Sequence, residues 1–176
     1  MPRLLVSMAF LSIMLGAAIF GFFYAWVCST MWGLDQADPR VAIAAMQAMN
    51  ASIRNPVFAP AFFATPFALL VTAVLAWSCE RRTAAAWFAA AGGLCLFGGL
   101  ILTVLVNVPM NEALAAIVVP ADPGAAEEIW NTYSSRWQFF NQIRAIASGL
   151  SLLLATFGLY RTDPMHSARH QAAETA

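Results

Sequence analysis

The 176 residues carry nine cationic and nine anionic side chains, so net charge is zero, and no basic face stands out; this speaks against nucleic acid as a partner. The chain is 61% hydrophobic and only 10% charged, against roughly 25% charged in an ordinary soluble domain, and its mean hydropathy is +0.69. A soluble domain of this length keeps too much surface in water to hide so much apolar material, so the composition points to one integral membrane domain.

A helix needs about 20 consecutive apolar residues to cross a bilayer core. The first such run, residues 4–28, has no charge. It is too long for the core of a signal peptide and runs on into Phe22, Phe23, Tyr24 and Trp26, so it reads as a span rather than a cleaved leader. The connection after it reads as helical: Asp38 is a good N-cap and Pro39 suits the first helical position. Ala42, Met46, Met49 and Ile53 then repeat as one apolar stripe, and Asn55-Pro56 ends it. The expectation is a short amphipathic helix on the bundle or on the membrane surface.

Residues 57–79 and 83–106 form the second and third runs, joined by the short link Glu80-Arg81-Arg82 into an antiparallel hairpin. Pro120 and Asp122-Pro123-Gly124 mark a turn. Residues 125–136 are expected to be helical and to run into the fourth span, residues 137–160, which one charge, Arg144, interrupts near its start. Glycines and prolines inside these runs are tolerated in membranes, where small residues let helices approach. Cys28, Cys79 and Cys95 form no C-x-x-C pair and read as small hydrophobes, which disfavours thiol-redox chemistry.

The expected fold is therefore all-α: an antiparallel four-helix membrane bundle over residues 1–162 with an extra short amphipathic helix on the outer side, followed by a polar, flexible tail at 163–176. Arg3, Arg81, Arg82, Arg161 and Arg169 flank one end of the bundle; Arg40, Arg54 and Arg136 lie at the other, diluted by acids that include Asp35 and Glu112. The positive-inside rule then sets both termini in the cytoplasm of a multi-pass cell-membrane protein. Trp77, Trp87 and Tyr160 would sit at the inner interface, and Trp26, Trp32 and Trp137 at the outer one.

Polar residues within an apolar chain carry the functional information, and three groups fall at the outer end. Asn107 and Asn111, with Glu112, share a helical face at the end of span three, and Pro109 between them weakens the local backbone ladder. Trp130, Tyr133, Trp137, Asn141 and Arg144 are spaced three, four, four and three apart, one stripe entering span four. Gln47, Asn50 and Asn55 lie on or beside the short outer helix. Arg144 sits about 10 Å into its span, where a charge usually faces a bundle interior or a wet cavity. Two readings stand side by side: an anion-holding group in a pocket, or a charge that snorkels outward or pairs with Glu112 to staple spans three and four. The asparagines likewise read as ligand contacts or as interhelical glue, and the aromatics as stacking surfaces or interface anchors.

Several chemistries are disfavoured. The histidines, His166 and His170, lie in the tail, so bis-His haem and His-ligated metal within the membrane are out of reach. Acids are too few for a carboxylate-bridged metal pair, and no glycine-rich phosphate loop or nucleophile elbow occurs. The reading needs no cofactor and no metal.

The segment Met46-Gln47-Ala48-Met49-Asn50, with Asn55-Pro56-Val57-Phe58, resembles the first signature of the anthrone oxygenase-like family of small membrane proteins. Asn107-Val108-Pro109-Met110-Asn111-Glu112-Ala113-Leu114 resembles the second, and Trp130-x-x-Tyr133-x-x-x-Trp137-x-x-x-Asn141-x-x-Arg144 the third. That third signature often carries a His beside Ser134 or Ser135; it is absent here. The resemblance implies a four-span fold and, for some fungal members, oxidation of anthrones to anthraquinones by O2 without an evident cofactor.

Two function classes follow. In the first, an oxygenase, an aromatic phenol or enol enters from the outer leaflet and stacks on Tyr133 and Trp137; Arg144 stabilises its anion, Glu112 is the base, and Asn107, Asn111 and Asn141, with Gln47 and Asn50, orient its oxygens. In the second, the same pocket binds a lipid or quinone-like small molecule without turnover. A structural subunit whose polar stripe only packs helices is the third option. The substrate and the oligomeric state are not legible.

Overall fold

The computed structural model describes residues 2–162, so the expected tail at 163–176 lies outside the described residues. The chain forms α1 (Arg3–Asp35), α2 (Pro39–Ser52), α3 (Phe58–Ser78), α4 (Arg82–Ala115) and α5 (Pro123–Tyr160), with no strand among the described residues. Four of these, α1, α3, α4 and α5, are long and apolar enough to cross a bilayer. Helices α1 and α4 run without a break through π-helical turns. The protein is a multi-pass membrane protein with the all-helical bundle architecture that its apolar runs predict.

Each span packs on two neighbours, in the ring order α1–α3–α4–α5. The outside of the ring is apolar: Phe10, Met14, Val74, Phe97, Leu105 and Ile146 are all exposed. The inside is built from small and hydroxylated residues, as expected where lipid removes the hydrophobic drive between helices. Ala9, Ala73, Ala91 and Ala155 pack around Leu69 and Phe88, Ser12 and Thr72 share a buried hydrogen bond of 2.9 Å, and Ser151 donates to the Ala91 carbonyl at 2.8 Å. Helices α4 and α5 approach closely at Gly98, where a Cβ would lie 2.6 Å from the Ala147 Cβ. At the end of α3, Glu80 adopts a left-handed conformation (φ 60°) and the Arg81 N–H closes on the Ala76 carbonyl at 2.9 Å. This is the usual helix stop, with a glutamate where glycine is the common choice.

The bundle is asymmetric because the helices differ in length. At 1.5 Å per residue the 21-residue α3 is about 31 Å long, close to a bilayer core. The 33, 34 and 38 residues of α1, α4 and α5 give about 50–57 Å. The surplus lies opposite the α3–α4 turn, at what we call the loop end. The helices therefore outrun the apolar runs that define the spans: α1 continues past Cys28 to Asp35 and α4 past Asn107 to Ala115. Helix α2 sits there, against the ends of α1, α4 and α5. Its cap is the expected one: the Arg40 N–H donates to Asp38 Oδ1 at 2.9 Å. The Arg40 guanidinium pairs with the same carboxylate and, with that backbone bond, holds the exposed Asp38 carboxyl down at about 2. Ala42 and Met46 of the predicted stripe are fully buried, joined by Ile43, so α2 lies on the bundle.

Two of the long helices are widened by π-helical turns near this end, Trp26–Thr30 in α1 and Thr103–Asn107 in α4, with a further stretch at Cys95–Ile101. The Val108 N–H reaches back to the Thr103 carbonyl. Pro109 has no N–H to offer Leu105, and its ring would crowd that carbonyl in a regular turn; the wider turn just before it accommodates the proline.

Candidate functional site

The predicted stripe on α5 is a single buried face. Trp130, Tyr133, Trp137, Asn141 and Arg144 are each less than a tenth exposed, and they meet the loop-end parts of α1, α2 and α4 in three layers.

The outermost layer is held by Asp35, at the end of α1. Its carboxylate accepts from Trp130 Nε1 (3.0 Å), Ser134 Oγ (2.6 Å) and Gln138 Nε2 (2.8 Å), tying α1 to α5. Sequence reasoning counted Asp35 only as a loop acid. Its role depends on α1 remaining helical past the end of its apolar run, which hydropathy does not reveal. Gln47 belongs to this layer too: its amide donates to the carbonyls of Leu114 and Ile117, both at 2.9 Å, and so fastens α2 to the end of α4.

In the middle layer Asn111 is the hub. Its Oδ1 accepts from Tyr133 OH (2.8 Å) and Trp137 Nε1 (3.0 Å), and its Nδ2 donates to Asn50 Oδ1 (3.0 Å). Asn50 in turn donates to Tyr133 OH at 3.4 Å. Three helices are thereby joined through one amide. Trp137 packs on Trp26, ring centroids 5.1 Å apart, and both face the interior; the interface-anchor positions expected for these two are not observed, because their indoles pair with each other across the bundle. Trp32 is exposed.

The deepest layer is Arg144, 4% exposed. Its guanidinium donates to Asn141 Oδ1 (2.9 Å) and Thr103 Oγ1 (3.2 Å), while Asn141 Nδ2 donates to the Phe23 carbonyl at 3.1 Å. It also lies over two rings, 4.6 Å from the Phe23 centroid and 5.2 Å from that of Trp137. The guanidinium does not snorkel. Nor does it pair with Glu112, which is exposed and bonds Arg54 at 3.4 Å instead. No ion pair to Arg144 occurs among the described residues. Among the described residues Arg144 Nε has no hydrogen-bond partner, and neither has either side-chain polar atom of Asn107, which is fully buried on α4 between Thr103 and Asn111. Thr103 was missed in the sequence, although it stands four residues before Asn107 and eight before Asn111, on the face they mark.

Two adjoining cavities open these layers. A cleft of about 560 Å³ lies under α2, between the start of α3 and the end of α4, with Arg54, Asn55, Phe63 and Glu112 on its outer part. A small chamber of about 50 Å³ lies deeper, lined by Phe23, Trp26, Trp137 and Arg144. Asn50, Phe58, Phe62, Thr103 and Asn111 line both. The geometry thus brings Asn50, Asn111, Trp137 and Arg144 to one cavity system and sets Glu112 at its mouth. Tyr133 backs the wall through its bond to Asn111, and Asn141 supports Arg144 from behind. Gln47 and Asn107 line neither cavity. The walls are aromatic: the rings of Phe22 and Phe58 are 4.7 Å apart, and those of Phe58 and Phe62 stack at 5.4 Å. Phe63 and Val57, beside the cleft, are more than half exposed.

Comparison with curated proteins gave no match, and comparison with solved structures gave none. Among protein families, the one described as Anthrone oxygenase matches residues 54–154. That range takes in Asn55-Pro56, the Asn107–Leu114 segment and the whole Trp130–Arg144 stripe, and leaves out Met46–Asn50. It covers more than half of the chain, so the protein belongs to the anthrone oxygenase family.

Proposed function

We propose that the protein is a cofactor-independent oxygenase that takes a hydroxyaromatic or enolisable substrate into the cleft and holds its oxygen, as the anion, against Arg144. The observation that carries this reading is the buried guanidinium with no carboxylate beside it. Removing an ion from water costs several kcal/mol even after relaxation, and buried charges are as a rule paired. Two neutral acceptors and two aromatic faces offset part of that cost here, and a ligand oxyanion supplies the rest. Fixed positive charge in a dry site is also the arrangement that stabilises an enolate.

The division of residues between the two cavities suits such a substrate. In an anthrone the carbonyl and the acidic methylene lie on opposite sides of the central ring. With the oxygen at Arg144 in the chamber, the rings fill the cleft between Phe58, Phe62 and Asn111, and the methylene points toward the mouth, where Glu112 serves as the base. The enolate carbon adds O2 to give, after protonation, a hydroperoxide; loss of water leaves the quinone carbonyl, so one O2 is consumed and one water released. Trp137 stacks at the chamber, Asn50 and Asn111 orient the ligand, and Tyr133, Asn141, Asn107 and Gln47 hold those groups in place. The exposed Phe63 and Val57 favour access from the lipid rather than from water. We read residues 1–162 as one domain with both termini in the cytoplasm, which sets the cleft in the outer leaflet of the cell membrane.

The test is O2 uptake and quinone absorbance with an anthrone and the protein in lipid nanodiscs. Wild type is expected to turn over, and Arg144→Gln to lose about 10²–10³-fold. Equal rates for wild type, Arg144→Gln and empty discs contradict the proposal. Retention of the ligand without O2 uptake would instead make the cleft a non-catalytic site for a lipid or quinone-like molecule.

A further inference from the structure

At the opposite end of the bundle a second groove, about 420 Å³ in volume, runs between α3 and α4 on the lipid-facing surface. Its floor is made of small residues, Ala73 on α3 and Ala86 and Ala89 on α4, and its head is made by Trp77 and Arg82. From Arg82 to Ala89 it descends about 10 Å along the helix. Trp77 is more than half exposed, and the Arg82 guanidinium lies 3.6 Å above its ring, so the charge is held over the top of the groove. Beside it Arg81 has no side-chain partner among the described residues. The partner of Arg82 is Glu80 at 3.2 Å, with both side chains largely in solvent, a pair of the weak, readily exchanged kind. Among the described residues this end carries Arg3, Arg81, Arg82 and Arg161 against a single acid, Glu80.

The geometry points to a site for one anionic phospholipid, with its phosphate at Arg81 and Arg82 and an acyl chain lying on the alanine floor. Shape and charge act together. An indole at the head of an apolar groove marks the membrane boundary, a guanidinium fork matches phosphate oxygens, and an excess of arginine favours a headgroup with net negative charge by roughly fivefold per cation near the surface. A transmembrane helix would also fit against small residues, but it would bring no anion to Arg81 or to the solvent-exposed Arg82, so the lipid is the occupant that answers the whole groove. The site stands apart from the cleft at the loop end and does not depend on the proposed reaction.

Native mass spectrometry of the full chain, titrated with equal amounts of phosphatidylglycerol and phosphatidylcholine of the same acyl chains, tests this. Wild type is expected to retain phosphatidylglycerol at least fivefold over phosphatidylcholine. Arg81→Gln with Arg82→Gln is expected to remove that preference, and Ala86→Trp, which fills the groove, to lower retention of both lipids. Arg161→Gln, off the groove, is expected to keep most of the preference. Equal retention of the two lipids by wild type, or a preference that survives the double substitution, overturns the proposal. So does an Ala86→Trp protein whose lipid retention is unchanged while its monomer–dimer balance shifts. Arg82, Ala86 and Arg161 are exposed and Arg81 is half-buried, and an unchanged melting temperature confirms that each variant is folded.

Discussion

Arg144 and Asn111 are two polar residues whose substitution separates function from structure. A buried cation that stapled helices through an ion pair would cost about 3–5 kcal/mol when removed, because its partner charge would be stranded. Arg144 has only neutral partners in the ligand-free protein, so Arg144→Met is expected to leave the melting temperature unchanged or higher while abolishing oxidation, a trade expected at functional sites. A fall of many degrees would assign Arg144 to structure. Asn111 behaves oppositely. Asn111→Leu strands the Tyr133 hydroxyl and the Trp137 indole N–H, each a buried donor worth about 1–3 kcal/mol when unmet, so a loss of about 2–6 kcal/mol is expected in chemical denaturation. Tyr133→Phe removes one donor of the two that Asn111 accepts and is expected to cost about 1 kcal/mol. If Asn111→Leu proves neutral, the hub described above is not formed. The depth of Arg144 was legible from its place in an apolar run, and its stripe from spacings of three and four. That Glu112 pairs with Arg54 rather than Arg144 was not legible, because both partners are reached across the bundle and neither distance is encoded locally.

Among the elements, α4 does the most to shape the site. It approaches α5 at backbone distance at Gly98, then widens through π-helical turns before Pro109, carrying Thr103, Asn107 and Asn111 on one face toward α5. Gly98→Ala places a Cβ 2.6 Å from the Ala147 Cβ, a contact no rotamer relieves, so the helices must separate; a cost of about 1–3 kcal/mol is expected. Because Thr103 lies five residues on, we expect lower oxygenase activity as well. A stability equal to wild type would mean the two helices are not in contact there. Helix α2 was legible because Asp38-Pro39 and Asn55-Pro56 are local start and stop signals. The reach of α1 to Asp35 was not, since hydropathy marks where lipid ends and not where a helix ends. The clamp of Asp35 on Trp130, Ser134 and Gln138 therefore went unseen.

As a whole molecule, the protein is a bundle with one plain end and one built end. Beneath α2 the short α3 and the longer α4 border a cleft, and α1 and α5 close the chamber below it. The span count follows from the lipid, which demands uninterrupted apolar runs. The cavity depends on unequal helix lengths and on which polar groups find each other, and both are properties of the assembled chain. The central claim, that the buried Arg144 recruits an oxyanion, is tested most directly by the ionisation of a bound phenol. A hydroxyaromatic probe whose phenolate has its own absorbance band is titrated with pH in protein-loaded nanodiscs. The account predicts that the bound probe ionises at least one pH unit below the probe in empty discs, as an adjacent unpaired cation requires, and that Arg144→Gln abolishes the shift. The same ionisation pH for wild type, Arg144→Gln and empty discs would contradict it.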